Sequence, residues 1–183
     1  MNTALVLIDI QNDYFPGGKM ELEGGPEAGV NAGKALAHFR KAGLPLVHIQ
    51  HLSAYAGATF FVPGTPGVEI HDSVKPMGNE LVIQKYFPNA FRDTPLLWHL
   101  KDNGIDRLII GGMITHMCVD ASVRAAFDHG FRCIVLSDAC ATRSLSFQDM
   151  SVPAKFVHGA FLAALSPIYA KVVSVDEFLS KAG

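Results

Sequence analysis

Six short apolar runs, set apart by stretches of helical spacing, constrain what this chain can fold into. They are Thr3–Ile8, Leu46–Gln50, Leu81–Lys85, Leu108–Gly111, Arg132–Ser137 and Ala170–Ser174. Each is too short for a core helix, and hydrophobicity that continues rather than alternates predicts strands covered on both faces. Pro26–Ala42 has helical spacing that directs Val30, Ala35, Leu36 and Phe39 to a core, with Gly43 as its stop. Thr94–Lys101, the segment around Cys118, Asp149–Leu165 and Asp176–Lys181 read as further helices, with Pro153 acceptable only in a first turn. Strands alternating with helices predict an α/β fold. The expected form is a three-layer αβα sandwich around a mainly parallel six-stranded sheet, with helices on both faces. At 49% hydrophobic and 17% charged residues, the 183-residue chain suits one packed domain over 1–183.

In such folds ligands collect beyond the carboxyl ends of the strands. The segment from Asp106 to Gly130 reads as strand, glycine turn and helix, with Cys118 in the helix's first turn. Unpaired N–H groups and the positive end of the helix dipole favour an anion there, which predicts a stabilised thiolate. The same turn offers backbone donors to an oxyanion. Asp9 closes the first strand and Lys85 the third. Each residue alone has a plainer meaning: Asp9 as a turn cap, Lys85 as a solvated charge, Cys118 as a small buried residue. The three cysteines have no CxxC spacing, so neither a disulfide framework nor a zinc knuckle is expected, and Cys133 and Cys140 read as packing residues.

Order and spacing then carry a resemblance. Leu7–Phe15 (LIDIQNDYF), Leu81–Phe87 (LVIQKYF) and Gly112–Val119 (GMITHMCV), with Gly64–Ile70, Asn89–Thr94 and Ser137–Thr142 between and after them, resemble the isochorismatase-like cysteine hydrolase superfamily. That superfamily includes nicotinamidases and N-carbamoylsarcosine amidases. The resemblance implies a triad of Asp9, Lys85 and Cys118. In it Asp9 takes and returns the thiol proton, and Lys85 stabilises the thiolate. It also implies a cis peptide at Met113–Ile114 and an oxyanion hole made by the backbone N–H groups of Ile114 and Cys118. Gln11, Phe15, Tyr86, Phe91, Thr115 and His116 are the expected pocket residues, with Tyr14 also flanking the triad and Arg92 or Arg143 available to an anionic substrate.

The pattern breaks where nicotinamidases bind a metal through an Asp-x-His and a later His. His51, Ser53 and Phe60 stand at those places here. His48 and His51, three apart on a strand, face opposite sides. No metal and no cofactor are therefore expected. Retention of Cys118 leans toward hydrolysis of a small amide, carbamoyl or ureido C–N bond through a thioester. An isochorismatase-type vinyl ether hydrolase and a non-catalytic thiol sensor or small-molecule-binding relative are the alternatives. A net charge of −2 excludes an electrostatic case for nucleic acid or an anionic membrane surface. No apolar run has bilayer-spanning length, and the N-terminus turns acidic too early for a secretory signal. The expectation is a cytoplasmic homo-oligomer acting on a small molecule. The Leu52–Gly67 loop would serve as a lid or as a subunit contact.

Overall fold

The computed structural model describes residues 2–181. The apolar runs become β1 (Thr3–Ile8), β2 (Leu46–His51), β3 (Leu81–Lys85), β4 (Arg107–Met113) and β5 (Arg132–Ala141). A small hairpin of β6 (Leu145–Phe147) and β7 (Met150–Val152) follows, then β8 (Ala170–Val173). The helices are α1 (Gly25–Ala42), α2 (Leu96–Asp102), α3 (Asp120–Asp128), α4 (Ala154–Leu165) and α5 (Val175–Lys181). Six strands form one sheet in the order β3-β2-β1-β4-β5-β8, every pairing parallel, as expected for this α/β class.

Alternation along each strand divides the core. Ala4, Val6 and Ile8 of β1 pack with Leu108 and Ile110 of β4 against α2, α3 and α4. Leu5, Leu7 and Ile109 face the other way, toward Ala28, Ala32, Ala35, Leu36 and Phe39 of α1, with Phe178 and Leu179 of α5 beside them. This period of two is why a run with no polar residue is required: both faces are covered. Among the described residues no helix is long and apolar enough to cross a membrane.

Four sequence expectations are corrected here. Val30 is 59% exposed, because it lies about 200° around α1 from Ala28 and so misses the buried stripe. The helix expected from Asp149 begins only at Ala154, with Pro153 extended as its N-cap (φ −56°, ψ 146°). A residue before proline is pushed out of the helical region, so Met150–Val152 pairs with Leu145–Phe147 instead. The same effect at Pro95 delays α2 from Thr94 to Leu96. β5 runs on to Ala141, because a register shift after Ile110 lets Cys140 and Ala141 pair with Gly112 and Met113.

Chain order reverses between β1 and β4. From β1 the chain winds outward through β2 to β3, then crosses to β4 and winds the other way. The crevice at such a switch point is where open α/β sheets bind ligands. Gly112 lies at this point in register with Ile8, at φ 149°, where a Cβ would overlap the Ile8 carbonyl.

Candidate active site

Asp9 is the first residue past β1 and is fully buried. Its φ of 53° lies in the left-handed region that non-glycine residues seldom occupy, a form of local strain that clusters at functional sites. Lys85 ends β3 and is also fully buried. Because β2 separates β3 from β1, two strand spacings, roughly 9–10 Å, lie between the two backbones, and the Lys85 and Asp9 side chains close that gap together. The ammonium arrives 2.6 Å from Asp9 Oδ2. It also donates to His51 Nδ1 at 2.8 Å and to the Phe87 carbonyl at 3.1 Å. Cys118, 4% exposed, lies in a π-helical turn, Thr115–Val119, that α3 continues. Its sulfur, an Asp9 carboxylate oxygen and a His51 ring nitrogen all fall within 4.8 Å of one another. Three residues that the chain holds far apart thus meet at one end of the sheet.

The charges follow from burial. Desolvation, then the Asp9 charge, pushes the Cys118 thiol well above its ordinary value, and Lys85 offsets only part of this. Burial thus works against the thiolate expected from the helix terminus, and Lys85 works for it. Burial is also the largest influence on Lys85 and lowers it, but Asp9 and Cys118 together outweigh it, so the group stays an ammonium. Burial and then the Lys85 charge bring the His51 ring down to about 4, leaving it neutral. Since an ammonium has no acceptor, the bond from Lys85 assigns the unprotonated nitrogen as Nδ1. Neither Asp9 oxygen has an aligned hydrogen-bond donor among the described residues. The Lys85 contact is an ion pair whose angles fall outside hydrogen-bond geometry. Buried acceptors left open in this way point to a proton or a ligand they are built to meet.

The Met113–Ile114 peptide is cis, as the resemblance implied. The Ile114 carbonyl accepts from the N–H groups of Met117 and Val119, which fixes the turn carrying Cys118. The Ile114 N–H has no protein acceptor among the described residues. Four of the expected pocket residues have packing or hydrogen-bond partners of their own. Gln11 is buried with its amide bound to His51 and Val68, tying the ends of β1 and β2 together. Thr115 is buried, donating to the Ala141 carbonyl and bound to His158. Phe15 stacks on His71 at 3.5 Å. Phe91 packs on Phe131 and His129 at the far end of α3. Tyr86 is exposed beside Lys85, and His116 is half-buried with Nδ1 2.6 Å from Thr142 Oγ1.

Two further aromatic groups lie close to the site. Tyr14 and Phe61, both buried, meet edge to face at 4.6 Å, and Phe61 also leans on the His51 ring. Burial raises the Tyr14 phenol, with Cys118 and Asp9 adding to the rise. Asp13 holds the loop that delivers Phe61: its Oδ2 accepts the Phe61 N–H at 2.6 Å, and Gly67 leaves room for that carboxylate. The loop expected to be a lid or a subunit contact is thus anchored inward at Phe61, while Tyr55 remains 62% exposed. Arg92 is held by Asp93 and lies 3.5 Å over the Phe87 ring. Arg143 is exposed, has no carboxylate partner among the described residues, and its charge reaches Tyr14 and His116.

His48 does not join His51. It turns to Glu80 at 3.0 Å on the α1 side, as residues three apart on a strand must diverge. Asp9, His51 and Cys118 lie close enough together to hold a metal ion, but the Lys85 ammonium sits among them and engages His51 Nδ1. The cation in this donor set is supplied by the chain.

Comparison with known proteins covers nearly the whole chain. The isochorismatase domain model matches residues 3–176. The uncharacterised isochorismatase family protein YddQ of Bacillus subtilis is 51% identical over 179 residues, covering 98% of this chain and 99% of its own. The ureidoacrylate amidohydrolase RutB of Pseudomonas savastanoi is 26% identical, over 96% of this chain and 82% of its own. A solved isochorismatase-type structure from Oleispira antarctica superposes with a TM-score of 0.93 at 48% identity, covering 98% and 96% of the two chains. N-carbamoylsarcosine amidase of Thermoplasma acidophilum superposes at 0.82 with 25% identity, covering 96% and 98%. With its domain matched almost end to end and its sheet edge arranged as described, the chain belongs to the isochorismatase family.

Proposed function

We propose that this protein hydrolyses a small non-peptide amide, carbamoyl or ureido compound through a thioester on Cys118. One observation carries the reading: a buried carboxylate with open acceptors lies within reach of a buried thiol, with an ammonium 2.6 Å from the carboxylate. The relatives named for ureidoacrylate and N-carbamoylsarcosine hydrolysis support the bond class.

The steps follow from those groups. Asp9 takes the Cys118 proton as the sulfur attacks the carbonyl carbon, so the thiol needs no standing ionisation. The N–H groups of Ile114 and Cys118 receive the oxyanion, a contribution worth about a hundred- to a thousandfold per donor. Collapse breaks the C–N bond, and Asp9 returns the proton to the departing nitrogen. A water then loses a proton to Asp9, attacks the thioester, and releases the acid with the sulfur reprotonated. Lys85 remains an ammonium throughout. Arg143 supports a substrate carrying an anionic group on its far side.

The test is a panel of small amides and ureido acids read by ammonia release, with intact-protein mass after rapid acid quench. The expected result is turnover with an acyl adduct on the Cys118 peptide, and loss of both in Cys118→Ser. Ammonia release that survives Cys118→Ala would overturn the thioester; no ammonia release from any member, with a vinyl ether turned over by Cys118→Ala but not by Asp9→Ala, would favour vinyl ether hydrolysis instead.

A further inference from the structure

His51 has no part in the steps above, yet it sits at the centre of the site. It ends β2, the strand between those that carry Asp9 and Lys85, and it is in direct register with Lys85. Any lysine reaching from β3 to β1 must pass over this position. An ammonium has three protons, and when it is buried each needs an acceptor or an ion-pair partner. His51 Nδ1 at 2.8 Å and the Phe87 carbonyl at 3.1 Å receive two, while the remaining side of the ammonium faces Asp9 Oδ2 in the 2.6 Å ion pair. His51 Nδ1 lies 4.0 Å from Asp9 Oδ2, too far to hold the carboxylate itself.

The residue type matters at this place. A carboxylate would compete with Asp9 for the ammonium, and a cation would repel it. An aliphatic side chain would leave one proton buried without a partner. A neutral ring with a bare nitrogen toward the lysine satisfies the ammonium without diverting its charge. The charged and titratable groups facing it are Asp9 after β1, Lys85 of β3, Cys118 in the π turn and, beyond them, Tyr14.

We propose that His51 is a positioning residue, whose Nδ1 holds the Lys85 ammonium against Asp9 and Cys118; this rests on the triad reading above. The experiment measures iodoacetamide labelling of Cys118 across pH, by peptide mass spectrometry, in wild type, His51→Leu, His51→Asn and Lys85→Met. Asparagine puts a carbonyl oxygen where Nδ1 stands, whereas leucine offers no acceptor. His51→Leu should label about tenfold more slowly at neutral pH, with its profile displaced to higher pH, and His51→Asn should recover most of the loss. Wild-type profiles in both His51 variants beside a displaced Lys85→Met would overturn the role of His51 and leave the triad standing. Equal displacement in Leu and Asn would also overturn it, because the acceptor would then not matter. Four superimposed profiles, Lys85→Met included, would overturn the triad reading itself. A second measurement needs no variant. Nitrogen-15 spectra of the wild-type ring should show a neutral His51 with the proton on Nε2, and a proton on Nδ1 at neutral pH would refute the assignment.

Discussion

Lys85→Met removes the ammonium while nearly preserving the length and volume of the side chain. At 2.6 Å, and with an effective dielectric of about 20, the attraction to Asp9 is roughly 6 kcal/mol before desolvation is counted. Burying both groups cancels much of that gain. Deleting one partner does not recover the burial cost of the other, so the variant should lose about 3–5 kcal/mol of stability at neutral pH. His51 Nδ1 and the Phe87 carbonyl lose their donor as well. Lys85 is also the group that pulls the Cys118 thiol down against burial and Asp9, so its loss should slow alkylation of Cys118 by about a hundredfold.

Two assays check this. Urea denaturation gives the stability, and the ratio of iodoacetamide labelling at Cys118 to that at Cys133 gives the sulfur's reactivity. Cys133, at the opposite end of β5, serves as internal reference. The folded pKa of Lys85 lies above its ordinary value, so its contribution is complete below about pH 10.4 and is lost only as pH rises through the folded value. The stability gap between wild type and variant should therefore stay constant through neutral pH and close only in strong alkali. An unchanged denaturation midpoint together with an unchanged labelling ratio would refute the electrostatic reasoning.

Glu80→Gln breaks a cluster remote from the site. Arg40 grips the carboxylate through two bonds of 2.7 and 2.8 Å, with Met77 and His48 adding and burial opposing, and holds it down to about 2. The stabilisation is present above about pH 4.3 and is lost as pH falls toward 2, so the variant should lose about 1–2 kcal/mol at pH 7 after solvent screening. Its acid-denaturation curve should be correspondingly shallower, and identical curves would sink the assignment. Gly112→Ala drives a Cβ into the Ile8 carbonyl at the switch point, and should cost about 2–4 kcal/mol in thermal or urea unfolding; a variant within 0.5 kcal/mol of wild type, roughly the scatter of surface changes, would show that β1 and β4 can part there.

Much of the framework was legible in the residues. Runs such as Thr3–Ile8 and Leu108–Gly111 have no polar face, so only a doubly covered strand could bury them, and parallel order follows from the helices between. The family order of Asp9, Lys85 and Cys118 named the candidates before any distance was known. Elements whose boundaries depend on partners were not legible. The β6–β7 hairpin exists because proline closes the helix to Met150–Val152 and that segment then finds Leu145–Phe147. The partners of the expected pocket residues were not legible either, because type and proximity in sequence do not reveal that Gln11 and Thr115 are each engaged by a carbonyl.

By itself, then, the sequence determined the alternating α/β plan and the sheet edge where ligands collect, since periodicity is a local property, and its family resemblance named three candidate groups there. Tertiary structure alone decided protonation and partnership. A helix terminus argues for a thiolate, but the burial that raises Cys118 comes from neighbours distant in the chain. His51 acquires its place only because β2 lies between β1 and β3, bringing residues 9, 51 and 85 together at one end of the sheet.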